Sequence, residues 1–156
     1  MSHVTNIKLA TPDLDAIAMA VQAMGGEFVR NKTDFKWYGR FLNDWHTDRA
    51  AVHQGIDPKT FGKCSHVIRP KGWRLGDYEV GVVWRDGAWD LVYDVWSFEG
   101  AKLEEAFGVG LVRLKAEVGA EVAVRKLQHL VDDGWTVERT TDELGMPRLV
   151  VTEGGF

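Results

Sequence analysis

The sequence predicts an α+β sandwich: a mainly antiparallel sheet with two helices on one face, ferredoxin-like or related, plus a loop-rich insert. Three observations carry this expectation. Asp86-Gly87 sits between two runs of alternating apolar residues, the signature of a two-residue hairpin. Two helix patterns, each flanked by strand-like runs, stand near the two ends of the chain. Between them, residues 32–74 show no clean period.

The elements follow in order. "VTNIKLA" reads as a short strand. Thr11, Pro12 and Asp13 then predict a helix start, with a hydroxyl N-cap, proline at the first helical position and an early carboxylate. Leu14, Ile17, Val21 and Met24 form one apolar stripe, and Gly25-Gly26 ends it. "EFVRN" is the returning strand. "FKWYGRFLNDW" is open between strand and short helix, and "GIDPKTFGKC" is broken into loop by Gly55, Pro58 and Gly62. "SHVIRP" suits an edge strand stopped by Pro70.

Setting Arg85 opposite Ala88 fixes the hairpin register. One face then pairs Trp84 with Trp89, Val82 with Leu91, Val80 with Tyr93 and Tyr78 with Val95. The other face carries Glu79, Gly81, Val83, Asp90, Val92 and Asp94, and is expected to be solvated. "SFEGAKLEEAFGVG" gives no clear pattern. "LVRLKAEV" is expected as a strand, followed by a helix over "GAEVAVRKLQHLVDDG" with Val122 or Ala123, Leu127, Leu130 and Val131 inward. Trp135 is expected to anchor that helix to its strand, and "WTVERTT" and "MPRLVVTE" should form strands around the "DELG" turn. The spans 5–30 and 111–140 thus look like two β-α-β units covering one sheet face.

The chain of 156 residues fits a single domain, 1–156, with the insert over roughly 32–74. A single cysteine excludes an internal disulfide and fits a reducing cytoplasm; the opening residues carry no export-signal pattern, and no run has the length of a membrane span. The net charge of −4 hides an asymmetry. From Arg30 to Arg74 there are ten Lys and Arg against four Asp, a local +6, which leaves −10 on the remainder. Phe35, Trp37, Tyr38, Phe41, Trp45, Phe61 and Trp73 share that basic segment. Either it meets an anionic partner or it docks on the acidic remainder of its own chain.

The opening "MSHVTNIK", the hairpin "YEVGVVWRDGAWDLVYDVW" and the ending "KLQHLVDDGWTVERTTDELGMPRLVV" resemble an uncharacterised family, a domain of unknown function. Its members are encoded in algal chloroplast genomes, in cyanobacteria and other bacteria, and in some bacteriophages. Residues 32–74 look closest to the phage-type members. The resemblance implies a single compact domain in a cytoplasmic or stromal setting, and a host-interacting accessory protein as one version of the function. It supplies no catalytic residues.

Three sets of residues are candidates for chemistry. Cys64 and His66, two apart on an extended strand, would share a face and meet one ligand, with His46 and His53 available to complete a metal set. Lys63 and His66 would lower the thiol pKa if Cys64 were a nucleophile; packing is the simpler reading. Glu79, Asp90 and Asp94 on the hairpin could bind a divalent metal or act as an acid/base pair, unless Arg69, Lys71, Arg74 or Arg148 covers them. In the insert, Trp37, Tyr38 and Trp73 could stack on a ring while Lys63, Arg69, Lys71 and Arg74 face phosphates. "GVGLVRLK" lacks the Gly-Lys-Ser/Thr ending of a phosphate loop, so no cofactor is expected, and a pI near 5.7 argues against bulk duplex binding.

The leading expectation is a non-catalytic binding or accessory protein. It would recognise a protein partner or small anionic ligand through Trp37, Tyr38, Arg40, Lys63, Cys64, His66, Arg69 and Trp73. The alternatives are a small cysteine- or metal-dependent enzyme built on Cys64 and His66, or a binder of nucleotides or single-stranded nucleic acid. A homodimer through an open sheet edge is a further expectation.

Overall fold

The Asp86-Gly87 turn organises the main sheet. Asp86 at φ 50° and Gly87 at φ 80° supply the two consecutive left-handed residues that a tight primed turn requires. The turn joins β4 (Val80–Arg85) to β5 (Ala88–Asp94) with Arg85 opposite Ala88, Trp84 opposite Trp89 and Val82 opposite Leu91, the register expected from the alternation. The computed structural model describes residues 4–38 and 61–154. In chain order they form β1 (Val4–Lys8), α1 (Leu14–Ala23), β2 (Glu27–Val29), β3 (His66–Arg69), β4, β5, α2 (Ser97–Phe107), a 3-10 turn (Val109–Leu111), α3 (Val112–Lys126), α4 (Gln128–Asp132), β6 (Thr136–Thr141) and β7 (Pro147–Thr152).

The architecture is α+β: a five-stranded antiparallel sheet in the order β1-β5-β4-β3-β2, with helices packed on it, and a separate β6–β7 ribbon. β1 and β2 occupy opposite edges, so α1 must cross the sheet to connect them. β3, expected at an edge, lies inside, hydrogen-bonded to both β2 and β4. The α1 cap also shifts. Asp13, not Thr11, is the N-cap and accepts from Ala16 N–H at 3.1 Å, while the Thr11 hydroxyl accepts from Asp13 N–H. Ile17 and Val21 are fully buried as the stripe requires.

The main core lies between the sheet and the helices: Ile68, Val80, Val82, Leu91 and Tyr93 from the strands meet Ile17, Val21, Leu103, Phe107, Leu111, Leu114 and Val118. Three helices contribute to it rather than two. Residues 97–107, which gave no pattern, are α2, burying Gly100, Leu103 and Phe107 at helical spacing. "LVRLKAEV" lies almost wholly in α3, a correction to the expected strand. Its buried positions Leu114, Val118 and Glu121 recur every three to four residues, a period that the leading "LVRL" alternation masked. The expected inner stripe therefore moves N-terminally. Val131 is exposed, Leu127 and Leu130 are half-buried, and Trp135 is half-buried outside the central core. The two-unit, ferredoxin-like arrangement is not what this element order builds. Among the described residues no helix is long and apolar enough to cross a membrane.

The second face of the sheet is covered too, which overturns the expected solvated face. Phe35, Val67 and Val92 are buried there, with Val29, Trp37, Phe61, Cys64 and Val83 packed around them. Phe61 meets Phe35 and Trp37 edge-on, with ring centroids 5.2 and 4.8 Å away. Gly81 makes the approach possible: a methyl carbon there would stand 2.5 Å from Phe35 Cδ1. Burying a ring such as that of Phe35, 3% exposed, contributes about 1.5–3 kcal/mol. The two flanks of the insert are thus wall, not free loop.

Candidate functional site

Closure of the second face decides the fate of the carboxylates on it. Glu79 is 2% exposed, Asp90 5% and Asp94 fully buried. Buried charges persist only with charge or hydrogen-bond partners, because stripping their hydration costs several kcal/mol per ion. Glu79 has three: Arg69 Nε at 2.7 Å, Lys32 Nζ at 3.2 Å and Lys36 N–H at 2.9 Å. Asp90 accepts from Asn6 Nδ2 at 3.1 Å, and Asn6 Oδ1 accepts from Arg85 at 3.2 Å. Asp94 accepts from Trp96 N–H at 2.9 Å and Tyr38 N–H at 3.3 Å. Arg69, one of the side chains expected to cover this face, does so, joined by Lys32. Part of the positive excess of the insert therefore docks on the chain's own acidic residues.

Cys64 and His66 do not meet. Ser65 lies in a bend, which breaks the strand alternation that would have put both on one face. Cys64 joins the second-face cluster and its Sγ donates to Lys32 O at 3.2 Å. Burial pushes its thiol up to about 11, against the weaker opposing pull of Lys32, so it is a protonated packing group and not a thiolate. His66 turns to the helical side, between Phe28 at 5.6 Å and Trp89 at 5.4 Å. Its Nδ1 accepts the Asn31 N–H at 2.9 Å, which fixes a neutral ring with the proton on Nε2. Burial, then the nearby Arg30 charge, hold its pKa below the ordinary value. Among the described residues no three His, Cys, Asp or Glu side chains gather to hold a metal ion. His46, His53 and Arg40 lie outside the described residues.

The remaining expected binding residues divide. Trp37 is half-buried under Phe61, and Lys63 is exposed beside the isolated bridge to Asp34. Tyr38 is 37% exposed. Arg69 stacks its guanidinium on Trp73 at 3.9 Å, so one indole face is already occupied by the chain itself. Trp73 Nε1 donates to Asp77 O at 3.0 Å.

Trp73 is also where the structure opens. A cleft of about 400 Å³ lies between the loop 70–78 and α2, walled by Pro70, Trp73, Tyr78, Leu103 and Ala106. Lys71 and Lys102 bring two positive charges to it; Asp77, Glu99 and Glu105 bring three negative ones. Lys102 pairs with Asp77 at 3.3 Å and covers the Phe98 ring at 5.0 Å. The Arg74 N–H, accepted at 2.9 Å, holds the Asp77 carboxyl below the usual carboxylate range. The two segments that wall it also carry exposed apolar side chains: Leu75 in the loop at 95% exposure and Phe98 in α2 at 71%.

Reading the sequence missed the α2 side of this cleft because its period was not recognised. The signal was present, since Lys102 and Glu99 flank Leu103 on the turn that faces Trp73. No family model, curated protein or solved structure matches the chain.

Proposed function

We propose that the chain is a non-catalytic binding protein that recognises a protein partner at the Trp73 cleft. The observation that carries this reading is the pairing of a concave, mixed-charge cleft with large exposed apolar side chains in both segments that wall it. Leu75 in the loop 70–78 and Phe98 in α2 each leave a large hydrophobic group in water, the kind of side chain that the core of a protein contact buries. Two lysines against three carboxylates leave the lining without a positive excess, so a small anion is the less favoured occupant. A partner segment with an apolar anchor and flanking charges of both signs fits better. The family resemblance adds one component to the proposal: such a partner would belong to the host of a phage-type protein.

An enzyme built on Cys64 and His66 loses its basis. The two side chains sit on opposite faces, and the thiol is held protonated. Stacking of a nucleobase on Trp37 or Trp73 is likewise opposed by Phe61 and Arg69, which already use those rings.

The test is site-specific photo-crosslinking in cells, with a photoreactive residue at position 75 and, as control, at Leu144, itself 84% exposed. The reading requires one adduct of defined mass at position 75, absent at 144, and lost when Phe98→Glu is introduced. No adduct at 75, or the same adducts at both positions, contradicts it.

A further inference from the structure

The turn Arg30–Asn31, which leads out of β2, is fastened by an imidazole nitrogen. Asn31 has a left-handed φ of 60°, a region that few residues other than glycine occupy, although Asn is among those that do. Its N–H donates to His66 Nδ1 at 2.9 Å, and His66 on β3 is 8% exposed. Around the ring stand Phe28 of β2, Trp89 of β5 and the register partner Val82 of β4. The charge that bears on it is positive. It comes from Arg30 in the same turn, whose guanidinium lies 5.4 Å from the Phe28 centroid and pairs with Asp15 of α1 at 2.8 Å.

A proton on His66 therefore acts twice on this turn. Imidazolium carries an N–H on both nitrogens, so no lone pair remains for Asn31, and turning the ring over cannot supply one. The new charge also stands against Arg30, the residue before Asn31. The chain is tied on either side of the turn. Val29 pairs with Val67 before it, and after it Lys32 Nζ is held by Glu79 at 3.2 Å and by Asp34 O at 2.7 Å. The movement is thus confined to the residues between these ties.

We propose that His66 is a proton-operated latch on the Arg30–Asn31 turn: protonation frees the Asn31 N–H and opens the turn while the five-stranded sheet stays folded. The direction follows from the surroundings. Burial, then the Arg30 charge, hold the closed-state pKa below the ordinary 6.5. The latch is fully closed above pH 6.5 and opens as pH falls through the lower, closed-state value.

The test is an NMR titration of the full chain. It follows the nitrogen–nitrogen scalar coupling across the Asn31 N–H···Nδ1 bond, with the ring C–H resonances reporting the protonation of His66. The coupling should be present at neutral pH and vanish with the midpoint of the His66 titration. Relative to its intrinsic exchange rate, the Asn31 amide should then open up to about tenfold more readily per pH unit, with Val82 and Leu91 amides still far better protected. His66→Asn places an oxygen near the Nδ1 position that does not titrate in this range, and should keep Asn31 protected throughout. Persistence of the coupling with the ring fully charged overturns the proposal. So does loss of Asn31 protection only together with Val82 and Leu91, or the same pH dependence in His66→Asn. If that variant fails to fold, the wild-type titration alone decides.

Discussion

The five-stranded sheet and the β6–β7 ribbon are built from the same antiparallel pairing, and their side chains are in opposite situations. In the main sheet both faces are covered: β4 and β5 have apolar residues under three helices on one side and Phe35, Trp37 and Phe61 on the other. In the ribbon no residue is buried, and Val151 remains 39% exposed. Charges follow the same division. Glu79 is enclosed with Arg69 and Lys32, whereas Arg139 reaches from β6 to Glu117 and Glu121 of α3 and holds the ribbon by a partly hydrated clasp. Two sheets of one chain therefore differ in what keeps them folded. One rests on enclosed packing and paired buried charge; the other rests on a side contact and its own ladder.

The sharpest way to break this contrast is to delete methylenes in each region. Leu91→Ala, at a fully buried site, should cost about 2–5 kcal/mol in urea denaturation. Val151→Ala should cost less than about 1 kcal/mol, because its side chain is already in contact with water. Equal losses would mean that the ribbon is as enclosed as the core.

Charge provides the second comparison. Arg69→Met leaves Glu79 buried with only Lys32 and one N–H, and should destabilise by about 3 kcal/mol. Adding Glu79→Leu removes the orphaned charge and should restore most of that loss. If the double variant is no better than the single, the cost comes from the stacking of Arg69 on Trp73 and not from the carboxylate.

A smaller effect should appear with pH. His66 has a folded-state pKa below its ordinary value of 6.5, so the unfolded chain binds the proton more readily. Its contribution is fully present above about pH 6.5 and is lost as pH falls from there through the folded value. His66→Phe should flatten the stability profile in that window. An unchanged profile would show that burial and the Arg30 charge do not lower the His66 pKa.

Much of the fold was legible where local chemistry and tertiary packing agree. Asp86-Gly87 needed only its own turn geometry, and the β4–β5 and β6–β7 pairings followed from alternation. The failures have physical causes. β3 reads as an edge because "HVIR" is short, yet strand position is set by what pairs on each side, and its β2 partners lie 38 to 42 residues back in the sequence. The α3 start reads as a strand because "LVRL" alternates, whereas Leu111 adopts a left-handed φ of 55° that begins the helix from a non-helical residue. The second sheet face was read as solvated because Asp90 and Asp94 are charged, and only the wall made by Phe35, Trp37 and Phe61 reveals them as buried. The same wall explains why Cys64 and His66 part company at Ser65. Of the expected binding residues, Trp73, Lys63 and the exposed Tyr38 remain at surfaces, while α2, half of the cleft, was not visible until its helical period was known.

Native-state hydrogen exchange tests the central contrast most directly. The account predicts that β4 and β5 amides exchange only through global unfolding, while β6 and β7 amides open locally at lower free energy and open faster still after Arg139→Ala. If the ribbon amides exchanged with the same free energy as Val82 and Leu91, and Arg139→Ala shifted both sets together, the two sheets would be one cooperative unit and the contrast would be contradicted.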